Sequence, residues 1–337
     1  MKGFKNQLKK LTSLLEGIAY TTIGATDIII SNVCYDSRKV TPGSLFVCLP
    51  GSFYDGHDFA ADAIKLGASA LMVERYLDFP CPQILVEDSR KSLAQVAVNF
   101  YDHPYKDLAV VGVTGTNGKT TIVHMLKSIM GQAALASMIG TIGVKIGDGD
   151  YFATGNTTPE SLELQSQLRK MADQDVAYVA IEASSQGLAK FRFDHTQVDA
   201  AVFSNLSWDH MDYHKDMDHY FSCKAKLFQQ IKPTGLAVIN IDDPYGVKMA
   251  SLAKGRLVTY SLEKNAACTA KILQRYPSGT KIKFCLGDDS FEVVAPIIFD
   301  YNVYNALAAA ATAWGLGMPS EVIRQGLAHL HQVPGRM

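Results

Sequence analysis

The segment Val113–Thr121, which reads VTGTNGKTT, lies directly after an apolar run, Leu108–Val113, and directly before a helical pattern, Lys119–Met130. Its glycines allow a tight backbone turn whose N–H groups point inward at phosphate oxygens, and the first turn of a helix adds partial positive charge. The amine of Lys119 can neutralise β- and γ-phosphates, and the hydroxyl of Thr120 can bind Mg²⁺. The segment therefore predicts a nucleotide-phosphate site. The loop is one residue shorter than the GxxxxGK(S/T) pattern, and an ordinary glycine turn is the alternative.

Apolar strands and amphipathic helices alternate on both sides of this loop, an order that predicts a parallel sheet covered by helices. Strands are predicted at Asp27–Ile30, Leu45–Leu49, Ala70–Val73, Ile84–Val86, Leu108–Val113, Val176–Ile181, Ala200–Phe203 and Leu236–Ile239. Helices are predicted at Phe59–Leu66, Ser92–Tyr101, Lys119–Met130, Ser161–Met171, Met217–Gln230, Asn302–Leu316 and Ser320–Leu330. Around Ala270–Val294 the apolar period changes to two, which predicts an antiparallel appendage.

The turn-rich stretch His103–Asp107 separates two blocks of this α/β pattern. We therefore predict a small N-terminal α/β domain over residues 1–104. A central domain over residues 105–332 follows, with a P-loop-type, mostly parallel sheet and the antiparallel appendage. The last residues, Val333–Met337, have the composition of a linker.

Composition limits the possible functions of the chain. Its 337 residues include 32 Lys+Arg and 33 Asp+Glu, a net charge of −1 that gives no electrostatic footprint for duplex nucleic acid or an anionic membrane. No stretch reaches the roughly 18 apolar residues of a membrane helix, and no signal peptide is recognisable at the N-terminus. The six cysteines form no CxxC pair, a pattern that favours reduced thiols in the cytoplasm over a disulfide framework or a zinc site. We expect a soluble cytoplasmic protein.

Two polar segments after later strands are candidates for a metal site. Glu182 ends a predicted buried strand, where a carboxylate needs a cation, an arginine or a helix N-terminus as partner. The segment Ser204–His214 follows the next strand and carries His210. Together with Thr120, these side chains could form a Mg²⁺ shell, although nitrogen is a less usual ligand for that ion. A loop histidine without a ligand role is the alternative for His210.

The loop TGTNGKTT resembles the ATP loop of the Mur ligase superfamily, whose members join amino acids to a carboxylate through an acyl-phosphate. The resemblance implies ATP binding by Gly115, Thr116, Asn117, Gly118, Lys119, Thr120 and Thr121. In these ligases the lysine of a YFxAK segment reacts with CO₂, and the matching segment Tyr220–Phe228 offers Lys224 and Lys226, about 200° apart on a helix. The alignment favours Lys224. The resemblance thus implies catalytic roles for Lys119, His210 and carbamylated Lys224, and metal binding by Thr120, Glu182, His210 and Lys224.

Further segments resemble the substrate sites of the family. DSRKVTPGSLF at Asp36–Phe46 and GSFYDGH at Gly51–His57 resemble its uridine-binding signature, which implies that Tyr35, Ser37, Ser52, Phe53 and Tyr54 hold the UDP end. NTTPE at Asn156–Glu160 resembles the segment that meets the UDP-MurNAc-dipeptide. The implied acceptor-binding residues are Asn156, Thr157, Thr158, Ser184, Lys190 and Arg192. Two positions depart from the family pattern: Gln186 stands where the family usually has His, and Lys190 stands where some members have Gln.

FDYNVYNA at Phe299–Ala306 resembles the family's FNxxNxxA segment, in which an asparagine amide reads adenine. Asn302 is the first candidate for that role and Asn305 the second. A helix N-cap is the alternative role for Asn302.

The order of these segments favours the branch of the family that adds a diamino acid to UDP-MurNAc-L-Ala-D-Glu in peptidoglycan synthesis. The implied ligands are ATP, Mg²⁺, that acceptor and the diamino acid, with meso-diaminopimelate favoured over L-lysine. A sibling ligase, such as the one that adds the terminal dipeptide or a folylpolyglutamate synthetase, is one alternative. A non-catalytic module that binds a nucleotide or a UDP-sugar is another. We expect the family's third, C-terminal domain to be absent and ligation by this chain to be impaired.

Overall fold

The structure is a computed structural model that describes residues 8–51 and 53–330. The chain forms two compact units. The first comprises Met1–Pro104, Glu160–Asp173 and Lys190–His195, and the second comprises Tyr105–Pro159, Gln174–Ala189 and Thr196–Met337. The sequence predicts a contiguous central domain over residues 105–332, whereas two short later segments lie in the first unit.

The described residues contain the following elements in chain order. The strands are β1 (Lys9–Lys10), β2 (Thr21–Ile23), β3 (Ile29–Ile30), β4 (Asn32–Cys34), β5 (Ser44–Val47), β6 (Ala68–Val73), β7 (Gln83–Leu85), β8 (Ala109–Thr114), β9 (Ala136–Gly140), β10 (Gly143–Lys145), β11 (Tyr151–Phe152), β12 (Tyr178–Glu182), β13 (Val198–Phe203), β14 (Ile231–Asn240), β15 (Arg256–Ser261), β16 (Cys268–Tyr276), β17 (Gly279–Leu286) and β18 (Asp289–Ala295). The helices are α1 (Leu11–Leu14), α2 (Ala60–Lys65), α3 (Ser89–Phe100), α4 (Lys119–Met130), α5 (Ser161–Ala172), α6 (Ser185–Ala189), α7 (Met217–Gln229), α8 (Pro244–Leu252), α9 (Asp300–Gly315) and α10 (Ser320–Ala328).

The first unit is built on a five-stranded sheet in the order β2-β7-β6-β5-β4. Strands β4 to β7 are parallel to one another, and β2 adds an antiparallel edge. All four residues of β5 are buried, as expected for a parallel strand covered on both faces. Helix α3 packs on α5, which the chain contributes from a later segment of this unit.

The second unit contains an eleven-stranded sheet in the order β11-β10-β9-β12-β8-β13-β14-β15-β16-β17-β18. The seven strands from β9 to β16 in that order run parallel, while β16, β17 and β18 form an antiparallel meander. Helices α4, α9 and α10 pack together over a large apolar core, to which α9 contributes an alanine-rich face. The prediction of an α/β chain with a mostly parallel central sheet and an antiparallel appendage is confirmed.

One predicted strand differs in the structure, and several observed strands were not predicted. The predicted strand Asp27–Ile30 shortens to β3, which pairs with β1 outside the five-stranded sheet. The sequence analysis also missed β9, a buried strand that reads ASMIG, because none of its residues except Ile139 strongly favours a strand. Pairing with β12 determines its conformation. All six cysteines are free thiols, as predicted. None of the helices in residues 8–51 and 53–330 is both long enough and apolar enough to span a bilayer.

Candidate functional site: a phosphate loop at the carboxyl ends of three strands

The phosphate loop, residues 115–118, connects β8 to α4 at the centre of the large sheet. The register of the sheet places Glu182 of β12 beside Val113 and Phe203 of β13 beside Thr114. The carboxyl ends of the three strands therefore meet at the loop, which is where parallel sheets bind ligands.

Two glycines give the loop its shape. Gly115 and Gly118 have φ values of +151° and +90°, which residues with a side chain rarely adopt. A Cβ atom on Gly115 would lie 1.9 Å from Ser204 Oγ, and one on Gly118 would lie 2.3 Å from Asn305 Oδ1. The segment after β13 therefore leaves no room for a side chain at position 115, and helix α9 leaves none at position 118.

The amines of Lys119 and Lys224 meet at one backbone carbonyl of the loop. Lys119 Nζ donates to the oxygens of Gly115 and Thr116 at 2.9 and 2.8 Å, and Lys224 Nζ donates to Gly115 O at 2.7 Å. Burial of Lys224, which is 1% exposed, and then the nearby charge of Lys119 lower the pKa of the Lys224 amine well below its ordinary value. A neutral amine is the form that reacts with CO₂.

The carboxylate of Glu182 lies buried among hydroxyl groups. Thr120 Oγ1 donates to Glu182 Oε2 at 2.9 Å, and Thr141 donates to both carboxylate oxygens, through its backbone N–H at 2.9 Å and its hydroxyl at 3.1 Å. A Cβ atom on Gly140 would lie 2.1 Å from Glu182 Oε1, so the backbone lies directly against the carboxylate. The hydroxyl and carboxylate oxygens form a hard donor set of the kind that Mg²⁺ prefers.

The predicted acceptor residues of the second unit adjoin Glu182. Thr158 Oγ1 donates to the backbone oxygen of Glu182 at 2.7 Å and lies 3.0 Å from Ser184 Oγ. Thr157 Oγ1 lies 3.0 Å from Thr141 Oγ1, while Asn156 is exposed. Hydroxyl groups from three segments therefore line one side of the candidate Mg²⁺ site.

His210 contacts Tyr220, which in turn contacts the phosphate loop. Tyr220 is not among the predicted site residues. The His210 ring is 45% exposed and packs edge-on to the ring of Tyr220, with 6.2 Å between the centroids. Lys224 Nζ lies 4.4 Å from the centre of the same ring, and the Tyr220 hydroxyl lies 3.2 Å from Thr116 Oγ1. Tyr220 therefore adjoins His210, Lys224 and the phosphate loop. The thirteen-residue helix α7 could have suggested it, because Tyr220 and Lys224 are four residues apart on one helix face.

A cavity of about 970 Å³ opens beside the phosphate loop. Its lining includes residues of the loop and of α4, acidic residues that follow β14 and β15, and residues at the start of α9: Asn117, Gly118, Thr121, Asp242, Asp243, Glu263, Phe299, Tyr301, Tyr304 and Asn305. The acidic and aromatic residues of this lining are not among the predicted site residues. Their position after the carboxyl end of a parallel strand is the signal that could have found Asp242 and Asp243.

The two candidate adenine-reading asparagines lie in the first turns of α9. Asn305 Nδ2 donates to Asn302 Oδ1 at 3.0 Å, and the buried Asn302 Nδ2 has no hydrogen-bond partner within the described residues. Phe299, not Asn302, is the N-cap of α9, so the capping alternative for Asn302 is wrong. The Phe299 and Tyr301 rings stack at 5.3 Å on the cavity wall, with a planar surface.

The candidate UDP-binding residues lie in the first unit. Tyr35 donates to Glu163 Oε1 at 2.8 Å, and burial raises the pKa of its hydroxyl. Ser37 begins a single 3₁₀ turn, while Phe53 and Tyr54 are 92% and 75% exposed. The candidate Ser52 lies outside the described residues.

Two candidate acceptor residues also belong to the first unit. Arg192, which is buried, donates to Glu160 Oε1 at 2.7 Å, and Arg90 donates to the other oxygen of that carboxylate at 3.0 Å. Lys190 is half-buried in the same short segment. An anion bound by Arg192 would therefore compete with Glu160.

Comparison with known proteins identifies the family. The Mur ligase middle domain matches residues 113–313, and the Mur ligase family catalytic domain matches residues 29–101. The chain belongs to the Mur ligase family. Its relatives include the UDP-N-acetylmuramoyl-L-alanyl-D-glutamate–2,6-diaminopimelate ligase of Caldanaerobacter subterraneus subsp. tengcongensis, with 41% identity over 97% of this chain and 68% of the relative.

Solved structures of Mur ligases share the fold. A structure of a UDP-N-acetylmuramoyl-L-alanyl-D-glutamate–2,6-diaminopimelate ligase matches with a TM-score of 0.85 and 29% identity, over 98% of this chain and 68% of that one. MurF from Acinetobacter baumannii matches with a TM-score of 0.73 and 22% identity, over 98% and 70% of the two chains, and at that identity shows the fold alone. The predicted membership of the Mur ligase family is confirmed.

Proposed function

We propose that this chain is an ATP-dependent ligase that joins meso-diaminopimelate to the D-Glu side-chain carboxylate of UDP-MurNAc-L-Ala-D-Glu through an acyl-phosphate. The observation that carries the proposal is the buried amine of Lys224, held on the carbonyl of Gly115 beside Lys119. The name of the 41% identical relative supports this choice of acceptor and diamino acid over those of sibling ligases.

The residues present fit Mg²⁺. Thr120 and Glu182 would hold one ion through hydroxyl and carboxylate oxygens, and His210 with carbamylated Lys224 would hold a second. Bound Mg²⁺ would neutralise the charge that develops on the phosphates during transfer.

The carbamate would form on the chain's own residue. The neutral Lys224 nitrogen attacks the carbon of CO₂, and a C–N bond forms as one C=O π bond breaks and its electron pair moves to oxygen. The nitrogen then loses a proton to water. The product is an anionic group at the loop, where the amine of Lys119 offers a neighbouring positive charge. Lys119 then exchanges its contacts with the Gly115 and Thr116 carbonyls for the β- and γ-phosphates of ATP.

The remaining residues would position the substrates. Adenine would lie in the 970 Å³ cavity, where Asn302 or Asn305 reads its edge and the Phe299–Tyr301 pair offers a planar surface. Asn156, Thr157, Thr158 and Ser184 would orient the acceptor near Glu182. Tyr35, Ser37, Ser52, Phe53 and Tyr54 would hold its UDP end, with Lys190 and Arg192 for its anionic groups.

The chemistry then follows in two steps. The acceptor carboxylate oxygen attacks the γ-phosphorus as the bond to ADP breaks. The amine of the diamino acid next attacks the acyl carbon, loses a proton, and displaces inorganic phosphate.

Mass spectrometry and phosphate release would test the proposal. The protein is incubated with ATP, Mg²⁺ and UDP-MurNAc-L-Ala-D-Glu, with meso-diaminopimelate or L-lysine as the amine. Where ligation occurs, we expect the diaminopimelate product rather than the lysine product, with phosphate released in an equal amount. Reaction of a UDP-MurNAc-tripeptide with D-Ala-D-Ala instead would identify a sibling ligase. If neither reaction occurs, exchange of label between ADP and ATP that requires the dipeptide acceptor still reports acyl-phosphate formation, and its absence would contradict the ligase proposal.

A further inference from the structure

Two histidines and one cysteine form a cluster that the proposed ligase chemistry does not use. His219 and Cys223 are four residues apart on α7 and share one face of that helix, and His214 comes from the loop before it. The Asp216 side chain caps α7 by accepting from His219 N at 2.7 Å, which fixes the first turn. His214 and Cys223 are buried, and His219 is half-buried.

The spacing of the donor atoms suits a tetrahedral metal ion. One donor atom from each of the three side chains lies within 4.8 Å of the other two. His214 Nδ1 lies 3.3 Å from His219 Nδ1, and Cys223 Sγ lies 3.6 Å from His219 Nε2. Neighbouring ligands of tetrahedral zinc are about 3.3–3.6 Å apart at normal bond lengths. The two distances use different nitrogens of His219, which can offer only one to an ion, so the half-buried ring has to change its orientation when the three side chains bind one metal.

A second contact orients His214 as a ligand. Its Nε2 lies 2.9 Å from Ser185 Oγ, and its ring lies against Tyr220 with 4.7 Å between the centroids. Histidine ligands commonly use one nitrogen for the metal and bond the other to a polar group that fixes the ring.

We propose that His214, His219 and Cys223 bind a thiophilic divalent ion such as Zn²⁺, at a site separate from the oxygen donors Thr120 and Glu182. Sulfur and imidazole ligands select Zn²⁺ or Co²⁺ over Mg²⁺, which prefers oxygen. On binding, the Cys223 S–H bond breaks, the thiolate donates an electron pair to the ion, and the proton passes to solvent. No oxidant or reductant is needed.

The bound ion would connect the loop that carries His210 to the helix that carries Lys224. His214 N donates to His210 O at 2.9 Å, and Cys223 directly precedes Lys224. We therefore expect Zn²⁺ to raise the unfolding temperature of the protein at constant Mg²⁺.

Cobalt absorption spectroscopy would test the site. The metal-free protein, with its thiols reduced, is titrated with Co²⁺ in excess Mg²⁺. We expect one equivalent to bind with the visible bands of tetrahedral Co²⁺ and a thiolate-to-cobalt charge-transfer band, both removed by Zn²⁺. Cys223→Ser should abolish the charge-transfer band and weaken binding at least tenfold. Ser185→Ala should keep the band and weaken binding roughly 10- to 100-fold.

Cys285→Ser is the matched control, because Cys285 is a half-buried thiol of the same unit outside the cluster. It should leave the spectrum and the affinity unchanged. No charge-transfer band in the parent protein, or equal binding by the parent and Cys223→Ser, would overturn the proposal. If circular dichroism shows that Cys223→Ser does not fold, the Co²⁺ affinity of His219→Asn is measured instead. An unchanged affinity in that variant would overturn the site. These readouts do not depend on ligase activity.

Discussion

The amine of Lys224 lies in the interior of the second unit, although lysine is normally a surface residue. A protonated amine there would be poorly solvated and close to the charge of Lys119. Both effects favour the neutral form of the amine. A neutral amine at the phosphate loop can attack CO₂ or accept a proton. The side chain is therefore the best residue at which to test the proposed mechanism.

Lys224→Arg should lower kcat by about 100-fold or more, the loss typical of removing one transition-state charge. Arginine keeps the positive charge but has a pKa above 12, so it cannot become the neutral nucleophile that carbamylation needs. Initial rates measure the loss, and ¹³C NMR with labelled bicarbonate detects the carbamate. Lys226→Arg, on another face of α7, is the control variant and should retain the parent kcat and the carbamate resonance. A parent protein without a carbamate resonance would contradict the prediction.

Gly118→Ala should weaken ATP binding by roughly tenfold or more, equivalent to about 1.4 kcal/mol. The substitution adds backbone strain at a φ of +90° and a contact of 2.3 Å with Asn305 Oδ1. Calorimetric titration with ATP measures the affinity. Gly317→Ala is a matched control, because Gly317 has a φ of +85° with no atom within 4 Å of the added Cβ. It should cost about 1 kcal/mol of stability and leave ATP affinity unchanged. Equal ATP affinities of the two variants would show that Asn305 does not constrain the loop.

At the level of elements, the cap of α8 also supports the loop that follows β13. Asp243 Oδ1 accepts from the backbone N–H groups of Tyr245 and Gly246 at 2.8 and 3.3 Å, and Oδ2 accepts from Leu206 N at 2.9 Å. One carboxylate therefore fixes both the start of a helix and the segment that leads to His210.

Asp243→Ala should lower the free energy of unfolding by about 2–4 kcal/mol. The loss of the cap contributes about 1 kcal/mol, and the unpaired N–H of buried Leu206 contributes about 1–3 kcal/mol. Urea denaturation followed by circular dichroism measures the change. Asp243→Asn keeps one acceptor oxygen and should lose about half as much. Equal losses for the two variants would mean that the carboxylate does not make both contacts.

At the level of the whole molecule, each unit has its own apolar core. The core of the second unit lies around α4 and α9, and the core of the first lies around β5 and α3. ATP should therefore stabilise one unit selectively, because a ligand stabilises only the fold that binds it, by about 2.7 kcal/mol at 100 times its Kd.

Hydrogen exchange with mass spectrometry should show this selectivity. ATP with Mg²⁺ should slow exchange in the phosphate loop, in α4 and in the first turns of α9, and leave β5 and β6 unchanged. UDP is the control ligand and should instead slow exchange around Tyr35 and Ser37. Equal protection of both units by ATP would contradict the assignment of the 970 Å³ cavity to adenosine.

Local patterns were sufficient for the elements that carry the phosphate loop. Helix α4 was predicted with its observed bounds, Lys119–Met130, because glycine before it and an amphipathic pattern within it are local signals. Strand β9 was missed because its weak strand preference is overridden by its neighbours in the sheet. Among the site residues, Lys119 and Thr120 could be proposed from the loop itself, and Glu182 and His210 from their positions after buried strands. The catalytic roles of His210 and carbamylated Lys224 came from the resemblance. All of these roles stay predictions.

The sequence by itself determined the α/β class, the phosphate loop and the family, because each depends on the order and spacing of residues that are close together in the chain. Only the tertiary structure decided that Thr120 and Thr141 donate to Glu182, that Tyr220 adjoins both His210 and Lys224, and that Asp242 lines the cavity. The contacts of Glu182 and the lining of the cavity join residues far apart in the chain. They form because neighbouring parallel strands end at one edge of the sheet. Short-range sequence patterns do not specify which strands become neighbours.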